Sequence, residues 1–64
     1  MSLYLLMEAL EKTVDVKIID TDENVLIADF KSATYNDAVK YALRRVESIK
    51  VENNKVIVTI DLNI

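Results

Sequence analysis

Apolar residues recur at helical spacing at the start of the chain. Leu3, Leu6, Met7 and Leu10 define one face and predict a helix over 2–12. Ser2 is placed to cap it, and no β-branched residue interrupts it before Thr13. Lys12 falls in the last turn, where a cation suits the helix dipole. Tyr4, Leu5 and Ala9 lie off the main stripe, so this helix is apolar over more than one face.

The period then drops to two. Val14, Val16 and Ile18 alternate with Asp15, Lys17 and Ile19, which predicts a strand over 14–20. A second strand over 25–31 sets Leu26, Ala28 and Phe30 against Val25, Ile27, Asp29 and Lys31. Matching the apolar faces requires a three-residue loop, Asp22–Asn24, with Asn24 in the left-handed position that Gly usually fills. That register sets Ile18 opposite Ala28 and Val16 opposite Phe30. It also sets Lys17 opposite Asp29, Asp15 opposite Lys31 and Ile19 opposite Ile27.

Helical spacing returns over 34–45. Tyr35, Ala38, Val39, Ala42, Leu43 and Val46 share a face, with Thr34 as cap and Asp37 three residues on. Lys40, Arg44 and Arg45 fall in its C-terminal half. The last segment is a hairpin about Asn53-Asn54, a type I′ turn, since Asn tolerates positive φ at both positions. The turn pairs Glu52 with Lys55, Val51 with Val56, Ile49 with Val58 and Glu47 with Ile60. One face then carries Ile49, Val51, Val56, Val58 and Ile60; the other is polar except for Ile57.

The order is α-β-β-α-β-β. It predicts a single α+β domain over 1–64, a two-layer fold with a four-stranded antiparallel sheet and two helices on one face. The outer sheet face would be polar apart from Ile19, Ile27 and Ile57.

Composition narrows the chemistry. The 64 residues contain no Gly, Pro, Cys or His. No side chain therefore titrates near neutrality unless its environment shifts it. Thiolate chemistry, disulfides and glycine-rich phosphate loops are ruled out. Only Asp, Glu, Lys, Arg and Tyr remain for acid–base work, and the expectation is a non-enzyme with no catalytic residue, metal, cofactor or small-molecule substrate. The net charge of −3 argues against nonspecific nucleic-acid binding. The longest apolar run, Leu3 to Met7, is too short to span a membrane. The opening residues have no basic n-region and no cleavage-like site, so a secretory signal is not expected, which gives a cytoplasmic expectation.

Size adds a further expectation. A chain this short buries only about 60 % of the surface its unfolded form exposes, and such domains are helped by disulfides, metals or oligomerisation. With no cysteine and no metal set, a homo-oligomer, a dimer first, is expected. The candidate interface residues are Tyr4, Leu5, Ile19, Ile27 and Ile57. Each also has a plain structural reading: the isoleucines as strand formers, Tyr4 and Leu5 as residues covered by the second helix or the sheet edge. Lys40, Arg44 and Arg45 could contact an anion, or serve only dipole and solubility. Asp20, Asp22 and Glu23 read as a solvated turn rather than a cation site.

Three stretches carry a resemblance: Leu6-Met7-Glu8-Ala9-Leu10, Val16-Lys17-Ile18-Ile19-Asp20, and Ile49 through Val58 about the Asn pair. The chain resembles small uncharacterised proteins of bacteriophages and prophages of low-GC Gram-positive bacteria. The regular helix over 34–45 departs from their usual pattern. The resemblance implies no activity, cofactor or functional residue to carry over. It is compatible with an accessory protein that binds a host or phage protein. The function expected is a self-associating protein-interaction module. The alternative is a nucleic-acid-associated accessory protein that lays the basic second helix on phosphates.

Overall fold

A computed structural model describes residues 1–63. Helix α1 (Leu3–Ala9) is followed by strands β1 (Asp15–Asp20) and β2 (Val25–Lys31). A 3₁₀ helix (Ser32–Tyr41) leads to β3 (Arg45–Glu52) and β4 (Lys55–Asp61). The fold is a small α+β domain with two helices and one four-stranded sheet in the order β2-β1-β4-β3.

The sheet is mixed, which corrects the all-antiparallel expectation. Both hairpins are antiparallel, but β1 and β4 run parallel, from Asp15 beside Lys55 to Asp20 beside Ile60. Strand composition accounts for part of this. Ile18-Ile19 and Val56-Ile57-Val58 are continuous apolar runs, as strands covered on both faces have. These strands take the two central places and the polar β3 takes one edge; β2, at the other edge, carries an apolar run of its own from Val25 to Ala28.

α1 begins where expected. The Ser2 hydroxyl accepts from the Leu5 N–H at 3.4 Å, and Leu3, Leu6 and Met7 are buried. It ends at Ala9 rather than near 12, because Leu10 is already extended. The segment that follows is held instead by the chain leaving β2. Ser32 N–H donates to Val14 C=O at 3.0 Å and Ala33 N–H to Lys12 C=O at 3.2 Å. The Ser32 hydroxyl, itself buried, donates to Glu11 C=O.

The second helix departs further from expectation. It begins at Ser32, Lys31 stands in the cap position without a side-chain bond, and the backbone is kinked at Thr34 and Tyr35. Past the kink, a 3₁₀ repeat of three aligns Ala38 with Tyr41. Ser32 and Ala38 are buried, and Tyr35 and Tyr41 pack on the core. Val39 and Leu43, which an α-helix would place on the same face, are 64 % and 87 % exposed. Reach offers a physical reason. The segment leaves one edge strand and must arrive at the other, and a 3₁₀ helix rises about 2.0 Å per residue against about 1.5 Å for an α-helix.

The hairpins follow the expected pairing near one end of each and slip near the other. In the first, Asp15 pairs with Lys31 and Val16 with Phe30 as expected. Register shifts then place Ile18 opposite Ile27, not Ala28, and Ile19 opposite Val25. Glu23, not Asn24, has the positive φ, at 65°. In the second, Asn53 and Asn54 have φ of 51° and 64°, as a type I′ turn requires, and the pairs from Glu52–Lys55 to Ile49–Val58 hold. An irregularity at Glu47 then puts Val46, not Glu47, opposite Ile60 and keeps an apolar residue over the core.

The core joins Leu3, Leu6 and Met7 to Val16, Ile18, Phe30, Ala38, Val58 and Ile60. The first residues of the chain are tied to the start of β3. Leu3 N–H donates to Arg44 C=O at 2.9 Å, Val46 N–H to Met1 C=O at 2.8 Å, and Tyr4 N–H to Ala42 C=O at 2.8 Å.

Candidate functional site

The five candidate interface residues separate into three environments. Ile19 and Ile57 lie on the sheet face away from the main core cluster, yet are only 6 % and 7 % exposed. They sit on adjacent central strands, and Lys17 and Lys50 are the partners of Ile57 on either side. Together with Glu23 and Glu52 these residues line a shallow concavity of about 160 Å³. Lys50 pairs with Glu52 at 3.1 Å. Long charged side chains can lay their methylene stems over apolar neighbours while their heads stay in water. The outer face therefore does not present these isoleucines as an open apolar patch.

Ile27 does not join them. The register shift sets it opposite Ile18, and it packs half-buried against the core. The expected outer-face triad is thus reduced to Ile19 and Ile57.

Tyr4 and Leu5 are exposed, Leu5 at 59 %. They stand where α1 meets the chain beyond the 3₁₀ helix. Tyr4 is tied by its backbone to Ala42, and its ring centroid is 6.4 Å from that of Tyr35 at a tilt of 57°. Ala42 N–H donates to Val39 C=O at 3.1 Å, and Leu43 follows next in the chain. Tyr4, Leu5, Val39 and Leu43 thus place exposed apolar side chains along one junction. Sequence reasoning assigned Val39 and Leu43 to the core, because it read the segment with a period of 3.6 instead of 3.0. Desolvation pushes the Tyr35 hydroxyl upward from its usual pKa, and the nearby Glu8 and Tyr4 add to the effect.

A second exposed apolar pair lies on edge strand β3. Ile49 and Val51 share a face and are 47 % and 69 % exposed. The sequence placed both on the core face of the hairpin, but at this edge that cover is incomplete.

The basic residues are engaged locally. Lys40 stands 5.1 Å from the ring centroid of Tyr41. Arg44 donates from Nη1 to Leu62 C=O at 3.3 Å. Arg45 donates from Nε and Nη2 to Glu47 Oε1 at 3.3 and 2.9 Å, which raises the guanidinium pKa further. These contacts run in different directions and do not gather the three cations around one anion.

The acidic turn is absorbed by its own backbone. Asp20 accepts from the N–H groups of Asp22 and Asn24, both at 2.9 Å. Among the described residues no group of three or more carboxylates could hold a metal ion. No buried side-chain nitrogen or oxygen among them lacks a hydrogen-bond partner. No helix of the described residues is long and apolar enough to cross a membrane. No family model, no curated protein and no solved structure matches the chain.

Proposed function

We propose that this chain is a non-enzymatic protein-interaction module that self-associates. The observation that carries the reading is the exposure of Tyr4, Leu5, Val39 and Leu43 along one junction. A domain of this size has little apolar surface to spare, and leaving large side chains in water forgoes about 1.5–3 kcal/mol for each that could be fully buried. Exposed large apolar side chains gathered near one junction are what a protein partner covers. The reading takes the two helices as one layer over a single sheet face, and the cytoplasm as the compartment. It includes the phage resemblance, as an accessory protein acting on a host or phage protein. The nucleic-acid alternative gains no support from the basic residues, each of which has a local partner.

Light scattering across a dilution series tests self-association. A dimer or larger species at micromolar concentration supports it. A folded monomer at every concentration rejects it. Leu5→Lys and Leu43→Lys then report whether the junction contributes to the assembly.

A further inference from the structure

The open edge of β3 has a self-complementary pattern that specifies how two copies would meet. The strand reads Arg45-Val46-Glu47-Ser48-Ile49-Lys50-Val51-Glu52. Among the described residues it is an edge of the sheet, and past Val46 it pairs only with β4. Its beginning is closed, because the backbone of Met1 and Leu3 bonds to Val46 and Arg44. The free part runs from Glu47 to Glu52.

The tight turn fixes which backbone groups face outward. In a two-residue hairpin the closing pair, here Glu52 and Lys55, exchanges hydrogen bonds. Alternation then directs Ser48, Lys50 and Glu52 toward β4 and turns the N–H and C=O groups of Ile49 and Val51 to the open edge. The same two residues carry the exposed apolar side chains of the strand.

We propose that a second copy of this chain adds to this edge, antiparallel, across a two-fold axis through Val51, to make one continuous eight-stranded sheet. The proposal rests on the self-association reading above but places the contact between copies on this edge, which leaves the exposed residues Tyr4, Leu5, Val39 and Leu43 for a different protein partner. In this register Val51 of each copy donates its N–H to Val51 C=O of the other and receives the same bond in return. Lys50 of each copy lies opposite Glu52 of the other, so two opposite-charge pairs flank the axis. Neighbouring registers lose this match. An axis through Lys50 sets lysine against lysine, and an axis through Glu52 sets glutamate against glutamate. An axis through Ile49 drives Glu52 of one copy onto the stretch of edge that Met1–Leu3 already occupies. A register between residues would oppose core-side and outer-side residues, which strand pairing forbids.

The test is sedimentation equilibrium on the full chain, its Lys50→Glu and Glu52→Lys variants, and an equimolar mixture of the two. Circular dichroism on each confirms that it is folded. The expected result is a wild-type dimer, a roughly tenfold weaker dimer for each single variant, and recovery in the mixture. Each single variant sets like charges against each other on both sides of the axis. In the mixed dimer the glutamates of one variant face the lysines of the other, and both opposite-charge pairs return. Leu43→Lys leaves the dimer intact. A wild-type dimer that ignores both charge reversals, or that Leu43→Lys breaks instead, overturns the edge assignment and leaves the self-association reading standing. A monomer at all concentrations overturns both.

Discussion

Asp20 and Asn24 are joined three times. Asp20 N–H donates to Asn24 C=O at 3.0 Å, Asn24 N–H donates to Asp20 Oδ1 at 2.9 Å, and the Asn24 amide donates from Nδ2 to Asp20 Oδ2 at 3.2 Å. The turn of the first hairpin is therefore built by an aspartate that accepts backbone N–H groups in place of water. The loop closes one residue earlier than the apolar faces suggest, with Glu23 left in the positive-φ position. Two register shifts farther along restore the pairing of Val16 with Phe30.

This turn makes stability depend on acid. Hydrogen bonds from Asn24 hold the Asp20 carboxyl below its usual value of 3.8, and the hydrogen bond from Lys31 does the same for Asp15, 2.7 Å away. A carboxyl depressed in the folded state stabilises the fold above its unfolded pKa and loses that contribution as pH falls through the folded value. The melting temperature is expected to be flat above about pH 5 and to decline below about pH 4. Asp20→Asn should melt lower at pH 7 and show a shallower decline in acid. An unchanged acid decline in Asp20→Asn would remove Asp20 from the account.

The central position of β4 sets a second expectation. Ile57 faces away from the main core cluster yet is buried, whereas Leu43 is exposed. Ile57→Ala should cost about 2–4 kcal/mol, as deletion of a buried aliphatic side chain does. Leu43→Ala should stay within about 0.5 kcal/mol. Urea denaturation of the two variants compares them directly, and equal costs would place Ile57 outside the packed interior.

Ile57 also shows what could be read from the sequence and what could not. The six elements, the Asn53-Asn54 turn and the pairs next to it follow from local pattern and turn chemistry. So does the face of α1 that is buried. Strand order does not, because pairing between β1 and β4 joins segments some forty residues apart in the sequence and no local signal records it. The signal that existed was the break in alternation at Ile19 and Ile57. Read as an exception on a polar face, it suggests an interface; read as a run of consecutive apolar residues, it fits a strand covered on both faces, but the longer run from Val25 to Ala28 lies on edge strand β2, so such runs do not fix strand order. The junction of Tyr4, Leu5, Val39 and Leu43 was half legible. Tyr4 and Leu5 fall off the helical stripe, but Val39 is exposed because the segment coils with three residues per turn, and Leu43 because the helix has ended at Tyr41 and left it in a turn.

That periodicity has its own test. Ala38 is fully buried and Val39 is exposed. Ala38→Leu should overpack the core and cost about 1–3 kcal/mol. Val39→Lys should be near neutral, within about 0.5 kcal/mol. An α-helical segment facing the core with both residues would make both substitutions costly, so a large loss in Val39→Lys argues against the 3₁₀ face.

The buried hydroxyl of Ser32 makes the last expectation. Ser32 closes the junction between three elements: its N–H reaches Val14, its hydroxyl reaches Glu11 C=O, and the neighbouring Ala33 N–H reaches Lys12. Ser32→Ala removes one of the two donors to the Glu11 carbonyl, which keeps the Val14 N–H at 3.3 Å. Losing one such hydrogen bond costs about 0.5–1.5 kcal/mol. For a domain of this size each kcal/mol lowers the melting temperature by roughly 4–8 °C. Ser48→Ala, on an exposed stretch of β3, is the matched control and should not move it. Because the Ser32 contact ties the start of the 3₁₀ helix to the segment between α1 and β1, hydrogen exchange in Ser32→Ala should quicken first at Val14, Ser32 and Ala33. Uniform acceleration across the sheet would instead mean that the contact opens only with global unfolding.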